Sequence, residues 1–319
     1  MTQRLPPFFL AGPTAVGKSA IAIRLAETLG GETISVDSMQ VYRGLDIGTA
    51  KPSAAERERV LHHLIDVVDV TEPFDAARFV QLARQAMHEI QARGRVPVFC
   101  GGTGLYFKVF LEGLGDAPSA DPALRAELEQ TPLPELLKEL ERHDPITFQQ
   151  IDRQNPRRVV RALEVILLTG KPFSDQRAGW KRRDRMAPST VNSEPSAFFG
   201  LTRLAEDLRG RIDIRVNAMF ERGLVAETEL LLGHGLAQNR TAMQAIGYRQ
   251  VAEYLRGERP LAETIDLVKL RTRQLAKRQM TWFRRQAQLE WINLTPQDST
   301  DEIAARLAQA YLAKCGRDL

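Results

Sequence analysis

The eight residues at positions 12–19 have the types and spacing of a phosphate-binding loop. They are Gly12, Pro13, Thr14, Ala15, Val16, Gly17, Lys18 and Ser19, which match the pattern G-x-x-x-x-G-K-[ST]. Glycines let successive backbone N–H groups point into one concavity, and a helix that begins there adds partial positive charge. Lys18 supplies a cation, and Ser19 can reach a metal ion or a phosphate oxygen. The loop therefore predicts binding of a di- or triphosphate without naming a reaction.

Further along the chain, three side chains are candidates for chemistry at that phosphate group. Asp37 is ionised at neutral pH and either accepts a proton as a general base or takes a place in a metal shell. Thr103, in a Gly-Gly-Thr-Gly stretch, either offers its hydroxyl to the site or is an ordinary turn residue. Arg215 follows Arg211 by four residues, so both share a helix face. There they either bind a departing phosphate group or pair with a nearby carboxylate.

The elements that must position these residues alternate between strands and helices. Apolar runs that predict strands occupy residues 8–10, 32–37, 63–70 and 96–100, and helical periodicity occupies residues 20–29 and 75–93. Such alternation predicts a parallel sheet, whose ligands bind beyond the C-terminal ends of the strands. The phosphate loop, Asp37 and Thr103 each follow a predicted strand, so we expect all three to meet in one crevice.

Composition divides the chain into three parts. Residues 1–116 are the first part of the core, and a stretch rich in Gly, Pro and Ser ends it. Residues 117–197 are predicted as a helical insertion domain, in which 186–195 is a loop. Residues 198–319 return to the core with an apolar strand and are then helical nearly to the end. The predicted class is α/β: a P-loop parallel-sheet core with a helical insertion domain and a helical C-terminal part.

Cysteine, histidine and hydropathy patterns exclude several classes of protein. Two cysteines cannot build a disulfide framework, and the five histidines show no zinc-site spacing. No apolar stretch approaches the ~20 residues of a membrane span, and the N-terminus lacks the layout of a signal peptide. We therefore expect a cytoplasmic protein that does not associate with membranes.

Positive charge is concentrated in two segments, although the net charge is only +4. Residues 153–185 contain ten Lys/Arg and three acidic residues, and residues 269–285 contain seven Lys/Arg and no acidic residue. In the second segment Arg271, Arg278 and Arg285 recur at heptad spacing, with aromatic residues between them. This pattern suits contact with a nucleic-acid backbone and stacking on bases. The alternative is that these are solvated helix faces without a partner.

Five segments, in order, resemble the tRNA dimethylallyltransferase (tRNA isopentenyltransferase) family. They lie at residues 12–19, 35–52, 101–106, 155–164 and 244–248, and the match extends to about residue 282. The resemblance implies transfer of a dimethylallyl group from dimethylallyl diphosphate to N6 of the adenine on the 3′ side of the anticodon, with release of diphosphate and use of Mg²⁺. The chain lacks the C-terminal zinc finger of some relatives, as in the shorter bacterial form.

The resemblance also implies roles for single residues. By the resemblance, Thr14 to Ser19 hold the diphosphate and Ser19 lies near Mg²⁺; the rest of the loop at 12–19 and Arg211 are predicted diphosphate contacts from the motif and the helix face. Asp37 takes the proton from the exocyclic amine of adenine, and Thr103 lies at the reaction centre. Lys18 and Arg215 bind the leaving diphosphate.

The remaining implied residues contact tRNA, through its anticodon stem-loop. They are Asp37, Ser38, Met39, Gln40, Thr103, Arg125, Arg161, Ala162, Leu163, Glu164, Val165, Ala242, Met243, Gln244, Ala245, Ile246, Gly247, Leu275, Ala276, Lys277, Arg278, Gln279, Met280, Thr281 and Trp282. The expected partners are thus tRNA and dimethylallyl diphosphate, and the protein is expected to be a monomer.

Three other functions fit part of this pattern. A small-molecule kinase or NTPase would use the same loop to transfer or hydrolyse the γ-phosphate of ATP. An adenylate isopentenyltransferase would perform the same chemistry on a free nucleotide and leave the two basic segments without a role. A non-catalytic RNA-binding module would leave the phosphate loop and Asp37 without one.

Overall fold

Residues 5–115, 118, 120–176 and 197–317 are described by the computed structural model of the chain. By packing, the chain divides into two units, Met1–Leu111 with Ser193–Leu319, and Glu112–Asn192. The loop predicted at 186–195 and the basic residues between 177 and 185 lie outside the described residues.

A six-stranded parallel sheet forms the centre of the first unit. Its strands are β1 (Phe8–Ala11), β2 (Gly31–Val36), β3 (His62–His63), β4 (Val96–Gly101), β5 (Phe198–Arg203) and β6 (Glu290–Leu294). Their order across the sheet is β3-β2-β4-β1-β5-β6, and all neighbouring pairs are parallel. The strands that follow β1 in sequence lie on both sides of it, so a ligand crevice is expected beyond the C-terminal end of β1.

Helices connect the strands and make up the second unit. In chain order they are α1 (Lys18–Leu29), α2 (Ala54–Arg59), α3 (Ala76–Ala92), α4 (Gly104–Glu112), α5 (Pro122–Gln130), α6 (Leu133–His143), α7 (Pro145–Gln150), α8 (Pro156–Thr169), α9 (Ala205–Glu221), α10 (Leu224–Gly233), α11 (Tyr248–Leu255), α12 (Leu261–Gln286) and α13 (Thr300–Lys314). Two short 3₁₀ segments, Leu236–Gln238 and Ala242–Gln244, precede α11.

The central strand β1 is buried along its whole length. A strand of a parallel sheet that is covered on both faces is apolar at every position, and β1 reads Phe-Phe-Leu-Ala. Phe8 stacks on Phe199 of β5, and Phe9 stacks on Phe99 of β4. The Tyr311 hydroxyl of α13 donates a hydrogen bond to the Pro6 carbonyl at 2.5 Å. The strand that leads into the phosphate loop is thereby fixed on both sides.

The second unit is built from α5 to α8 around its own apolar core. Leu128, Leu136, Leu140 and Leu163 are among its buried members. Three of the helices begin at an Asp or Asn whose side chain accepts a hydrogen bond from the backbone of the first turn. These caps and the helical spacing explain why residues 123–170 carry no strand.

The predicted α/β class is confirmed, and two details differ. The strand predicted at 63–70 is reduced to His62–His63, because Leu64 and Asp66 adopt φ values of 62° and 56°, which break an extended strand. Strand β6 was predicted as part of the helical C-terminal region. It forms because residues 290–294 pair with β5, a long-range contact that local periodicity does not reveal.

Candidate functional site

The phosphate loop connects β1 to α1, and some of its backbone N–H groups are free within the described residues. Gly17 adopts φ 111° as the N-cap of α1, and a glycine cap has no side chain to bind the first N–H groups of the helix. Within the described part of the chain, the N–H groups of Val16 and Gly17 have no hydrogen-bond partner. Such amides at a helix N-terminus are suited to bind an anion.

The loop carbonyl groups, in contrast, are bound by three cationic side chains. Lys18 Nζ donates to the Pro13 oxygen at 2.6 Å, Arg211 Nε to the Ala15 oxygen at 2.9 Å and Arg203 Nε to the Val16 oxygen at 3.0 Å. The C=O and N–H of a trans peptide point in opposite directions. Holding the Ala15 and Val16 carbonyls on one side therefore directs the next two N–H groups to the other side.

Lys18 and Arg215 place uncompensated positive charge beside the loop. Burial lowers the pKa of the Lys18 ammonium to about 8; the Arg215 charge acts in the same direction, while Cys100 and Asp37 oppose it. Burial also lowers the pKa of Arg215, and the Asp37 carboxylate opposes that shift. Arg215 forms no ion pair or hydrogen bond with any described residue. Of the two alternatives for Arg215, pairing with a carboxylate is therefore not seen among the described residues, and its guanidinium is available to an anion.

Asp37 lies directly after β2 and presents one carboxylate oxygen. Its Oδ1 accepts hydrogen bonds from the backbone N–H groups of Met39 at 2.8 Å and Gln40 at 3.3 Å. Its Oδ2 has no hydrogen-bond partner in the described residues. One oxygen thus fixes the orientation of the carboxylate, and the other remains able to accept a proton from a substrate.

Thr103 is joined to the same turn. Its Oγ1 accepts a hydrogen bond from the Ser38 N–H at 3.1 Å, and its own N–H donates to the Val36 carbonyl at 3.2 Å. The ends of β2 and β4 are thereby linked. The phosphate loop, Asp37 and Thr103 follow the neighbouring strands β1, β2 and β4, so all three lie at the same edge of the sheet.

Helix α12 lies directly against the Gly-Gly-Thr-Gly loop. A Cβ at Gly102 would lie 2.3 Å from Gln279 Nε2, and one at Gly104 would lie 2.1 Å from the Trp282 ring. Gln279 Nε2 donates to the Gly102 oxygen at 3.0 Å, and Gln279 Oε1 accepts from the Thr14 N–H at 2.8 Å. The end of α12 is therefore packed against the crevice.

A hydrogen-bonded network, which was not predicted from the sequence, holds the loop at residues 47–49 that follows β2. Glu227 accepts from the Ile47 N–H at 3.0 Å, and the Tyr248 hydroxyl donates to Glu227 at 2.5 Å while accepting from the Gly48 N–H at 3.0 Å. Gln40 Nε2 reaches the Thr49 oxygen at 3.2 Å. Tyr248 ends one of the five recognised segments, but nothing in the sequence near Glu227 marks its role.

The cations at the end of α12 are exposed and unpaired. Lys277, Arg278, Arg284 and Arg285 form no ion pair with any described residue, whereas Arg273 is paired with Asp213. Among the other predicted contacts of this helix, Thr281 is exposed, Leu275, Gln279, Met280 and Trp282 are half-buried, and Ala276 is buried. The exposed cations are thus available to phosphate groups.

The predicted contacts at 242–247 and 161–165 divide between surface and core. Gln244 is exposed, Met243 and Ile246 are half-buried, and Ala242, Ala245 and Gly247 are buried. In the second unit Ala162, Leu163, Glu164 and Val165 are all buried. Ala162 and Leu163 belong to the apolar core of that unit, and the Glu164 carboxylate is bound by Arg125 and Arg161. Of the residues that the resemblance names in this unit, Arg125 and Arg161 therefore remain for RNA contact by side chains.

Buried Glu164 fixes both of those arginines. It accepts hydrogen bonds from Arg125 at 2.5 Å, from Arg161 at 2.6 Å and from the Asp121 N–H at 3.0 Å. Burial alone would raise the pKa of the Glu164 carboxyl, but the two guanidinium groups outweigh burial and hold that pKa below its usual value. Glu164 thus fixes the positions of both arginine side chains.

Two further properties bear on cofactors and environment. The described residues contain no group of three or more His, Cys, Asp or Glu side chains that could hold a metal ion. Mg²⁺ usually takes only one or two protein ligands together with phosphate oxygens and water, so an exposed Ser19 hydroxyl beside a phosphate loop fits that ion. In the same part of the chain, none of the helices has the length and apolar character to span a membrane.

Comparison with known proteins places this geometry in a family. The family model described as IPP transferase matches residues 40–286. The tRNA dimethylallyltransferase 1 of Citrifermentans bemidjiense is 43% identical over 290 residues, which are 91% of this chain and 92% of that protein. The tRNA dimethylallyltransferase of Carboxydothermus hydrogenoformans is 40% identical over 321 residues, covering 99% of this chain and 98% of that protein.

Solved structures give the same assignment. The tRNA isopentenylpyrophosphate transferase of Bacillus halodurans superimposes with a TM-score of 0.68 at 38% identity, covering 98% of this chain and 99% of that one. A eukaryotic dimethylallyltransferase acting on tRNA superimposes with a TM-score of 0.78 at 28% identity, covering 99% of this chain and 81% of that one. The chain therefore belongs to the IPP transferase family.

Proposed function

We propose that this protein transfers a dimethylallyl group from dimethylallyl diphosphate to N6 of the adenine on the 3′ side of the anticodon in tRNA. The observation that carries the proposal is that two sets of groups without hydrogen-bond partners among the described residues lie at the same edge of the sheet. Free amides and the unpaired Arg215 beside the phosphate loop suit a diphosphate, and the free Oδ2 of Asp37 suits an amine proton. The names of the relatives, tRNA dimethylallyltransferases, support the same reaction.

The diphosphate is bound as the leaving group. Its oxygens accept hydrogen bonds from the free N–H groups of Val16 and Gly17, and the Lys18 ammonium turns from the Pro13 carbonyl towards it. Arg215 and Arg211 add further positive charge around the diphosphate. As the allylic C–O bond breaks, negative charge grows on the diphosphate, and these cations stabilise it more in the transition state than in the ground state.

The adenine is the nucleophile. Its N6 lone pair forms the new bond to the allylic carbon, and the N6 proton passes to Asp37 Oδ2. The Oδ1 hydrogen bonds to Met39 and Gln40 keep that oxygen aimed at the crevice throughout. Thr103, joined to Ser38, lies beside the reacting atoms. Such a positioned base contributes ~10²–10⁴ in rate.

Mg²⁺ fits this site as a partner of the diphosphate. Ser19 would hold it together with the phosphate oxygens, as the hydroxyl of this motif does in other phosphate loops. When bound, the ion neutralises negative charge on the diphosphate.

Recognition of tRNA is assigned to two surfaces, each defined within its own unit. In the first unit the exposed cations Lys277, Arg278, Arg284 and Arg285 bind backbone phosphates of the anticodon stem-loop. In the second unit, Arg125 and Arg161, both held by Glu164, bind backbone phosphates. An adenine inside a stacked loop must be extruded before its N6 can reach a crevice of this kind.

A transfer assay tests the proposal. Labelled dimethylallyl diphosphate is incubated with an anticodon stem-loop RNA, with the same RNA carrying guanine in place of the target adenine, and with free AMP. We expect label on the first RNA alone. Label on AMP would instead establish a free-nucleotide isopentenyltransferase. ATP turnover without label on RNA would establish a kinase or NTPase.

A further inference from the structure

The side chain of Gln279 bridges two loops that the reaction uses for different purposes. Its Oε1 accepts from the N–H of Thr14 at 2.8 Å, and its Nε2 donates to the carbonyl of Gly102 at 3.0 Å. An amide side chain supplies one acceptor and one donor at this spacing, so no carboxylate or ammonium could make both bonds. Thr14 belongs to the phosphate loop, and Gly102 directly precedes Thr103.

The bond to Thr14 acts on Lys18. The Thr14 N–H and the Pro13 carbonyl belong to one peptide group, and that carbonyl accepts from Lys18 Nζ at 2.6 Å. Gln279 therefore fixes one end of a rigid peptide plane whose other end holds the catalytic ammonium. A displacement of Gln279 changes the position from which Lys18 meets the diphosphate.

The bond to Gly102 leads to Asp37. Gly102 is followed by Thr103, whose hydroxyl oxygen holds the Ser38 N–H at 3.1 Å. The Gln279 amide also lies directly against Gly102, since an added carbon there would be 2.3 Å from the Gln279 nitrogen. A shift of the Gln279 amide therefore acts on the Gly102 carbonyl that it binds.

Gln279 itself lies on the helix that carries the exposed cations. Lys277 and Arg278 directly precede it in α12, and Trp282, one turn further on, packs over Gly104. Binding of a polyanion by these cations fixes the end of α12, and with it the Gln279 amide.

We propose that Gln279 is a positioning residue that couples RNA binding on α12 to diphosphate binding in the phosphate loop. The inference rests on the proposed function for the identity of the two ligands. Its consequence is thermodynamic: RNA held on α12 presets the Pro13–Thr14 peptide, so each ligand binds more tightly when the other is present.

Linkage between two binding equilibria tests this coupling without requiring turnover. The dissociation constant of a fluorescent anticodon stem-loop is measured by anisotropy with and without saturating inorganic diphosphate and Mg²⁺. For the unchanged protein we expect diphosphate to tighten RNA binding by about fivefold or more, the usual scale of such coupling. For Gln279→Leu we expect less than about a twofold change, with the same loss in the reciprocal measurement.

The matched control is Gln274→Leu, which makes the same chemical change on the same helix, where the one side-chain partner of Gln274 among the described residues is Arg271. It should keep the full coupling. If Gln279→Leu does not fold, Gln279→Met serves instead, because it keeps the length of the side chain, adds no charge and removes both hydrogen bonds, to Thr14 and to Gly102. That variant should also lose coupling.

Three outcomes would overturn the proposal: no coupling in the unchanged protein, full coupling in the Gln279 variant, or RNA binding weakened equally with and without diphosphate. The last would make Gln279 a simple RNA contact. These outcomes are distinct from failure of the proposed function, which appears as absence of dimethylallyl transfer by the unchanged protein.

Discussion

The hydroxyl oxygen of Thr103 and the backbone nitrogen of Ser38 are 3.1 Å apart, joined by a hydrogen bond that the Ser38 N–H donates. This bond ties the loop after β4 to the residue that follows Asp37. Since the Thr103 N–H also donates to Val36, the turn that carries Asp37 is held at both ends. The carboxylate is therefore positioned before any substrate arrives, which lowers the entropic cost of reaching a reactive geometry.

Asp37→Asn should slow transfer strongly while keeping this turn. The asparagine oxygen still accepts from the N–H groups of Met39 and Gln40, so only the charge and the proton-accepting oxygen are lost. We expect single-turnover transfer to fall ~10²–10⁴-fold, with RNA affinity within about threefold of the original. Near-normal single-turnover transfer would show that Asp37 is not the base.

Diphosphate affinity should fall as pH rises through about 8. The free protein has a lowered Lys18 pKa, about 8, because the ammonium is buried and near Arg215. The charged form predominates below that pH and is lost above it, so binding weakens by about tenfold between pH 7 and pH 9. Calorimetric titration with inorganic diphosphate measures this. The control is Lys18→Arg: because arginine stays charged over this pH range, its pH dependence reports the titration of the diphosphate alone. An equal pH dependence in both proteins would contradict the prediction.

Arg215→Gln should slow the chemical step without disturbing the fold. The guanidinium has no hydrogen bond or ion pair to break among the described residues, so the melting temperature should change little. Loss of one group that stabilises developing charge costs about 10²–10³-fold in kcat. Arg209→Gln, an exposed change on the same helix, is the control and should leave kcat unaltered. A large loss of stability in Arg215→Gln would instead indicate a structural role.

Neutralising the α12 cations should reduce the salt dependence of RNA binding. Each of Lys277, Arg278, Arg284 and Arg285, changed to Gln, removes one phosphate contact. The slope of log Kd against log salt concentration should then decrease by about 0.7–0.9 per substitution. Arg84→Gln, an exposed change on α3, should leave the slope unaltered. If the α12 variants behave like this control, the helix does not bind the RNA backbone.

Glu164→Gln should destabilise the second unit. Removing one partner of a buried ion pair leaves Arg125 and Arg161 without a counter-charge, at a cost of about 3 kcal/mol in the free energy of unfolding. Both arginines are about one third exposed, which places the effect at the lower end for buried pairs. Hydrogen exchange of the α8 amides measures it. Glu127→Gln, an exposed change on α5, should leave exchange unaffected, and unchanged exchange in the Glu164 variant would contradict the prediction.

The sequence alone determined the features that depend on local order. The phosphate loop follows from residue types at fixed spacing between an apolar strand and a helix, and the α/β class follows from the alternation of strands and helices. Asp37 and Thr103 became candidates because they follow predicted strands, and Arg215 because it shares a helix face with Arg211. The meeting of these residues could also be predicted, because the C-terminal ends of parallel strands share one edge of a sheet.

Tertiary structure alone decided which of these groups are free and which are engaged. Contacts between distant segments decide three of these properties. They leave Arg215 unpaired among the described residues, bind Glu164 to two arginines, and let Gln279 join two loops. Strand β6 was missed for the same reason, since its five residues become a strand only beside β5. Local periodicity reports the face that a residue presents, whereas its hydrogen-bond partner is set by where the rest of the chain folds.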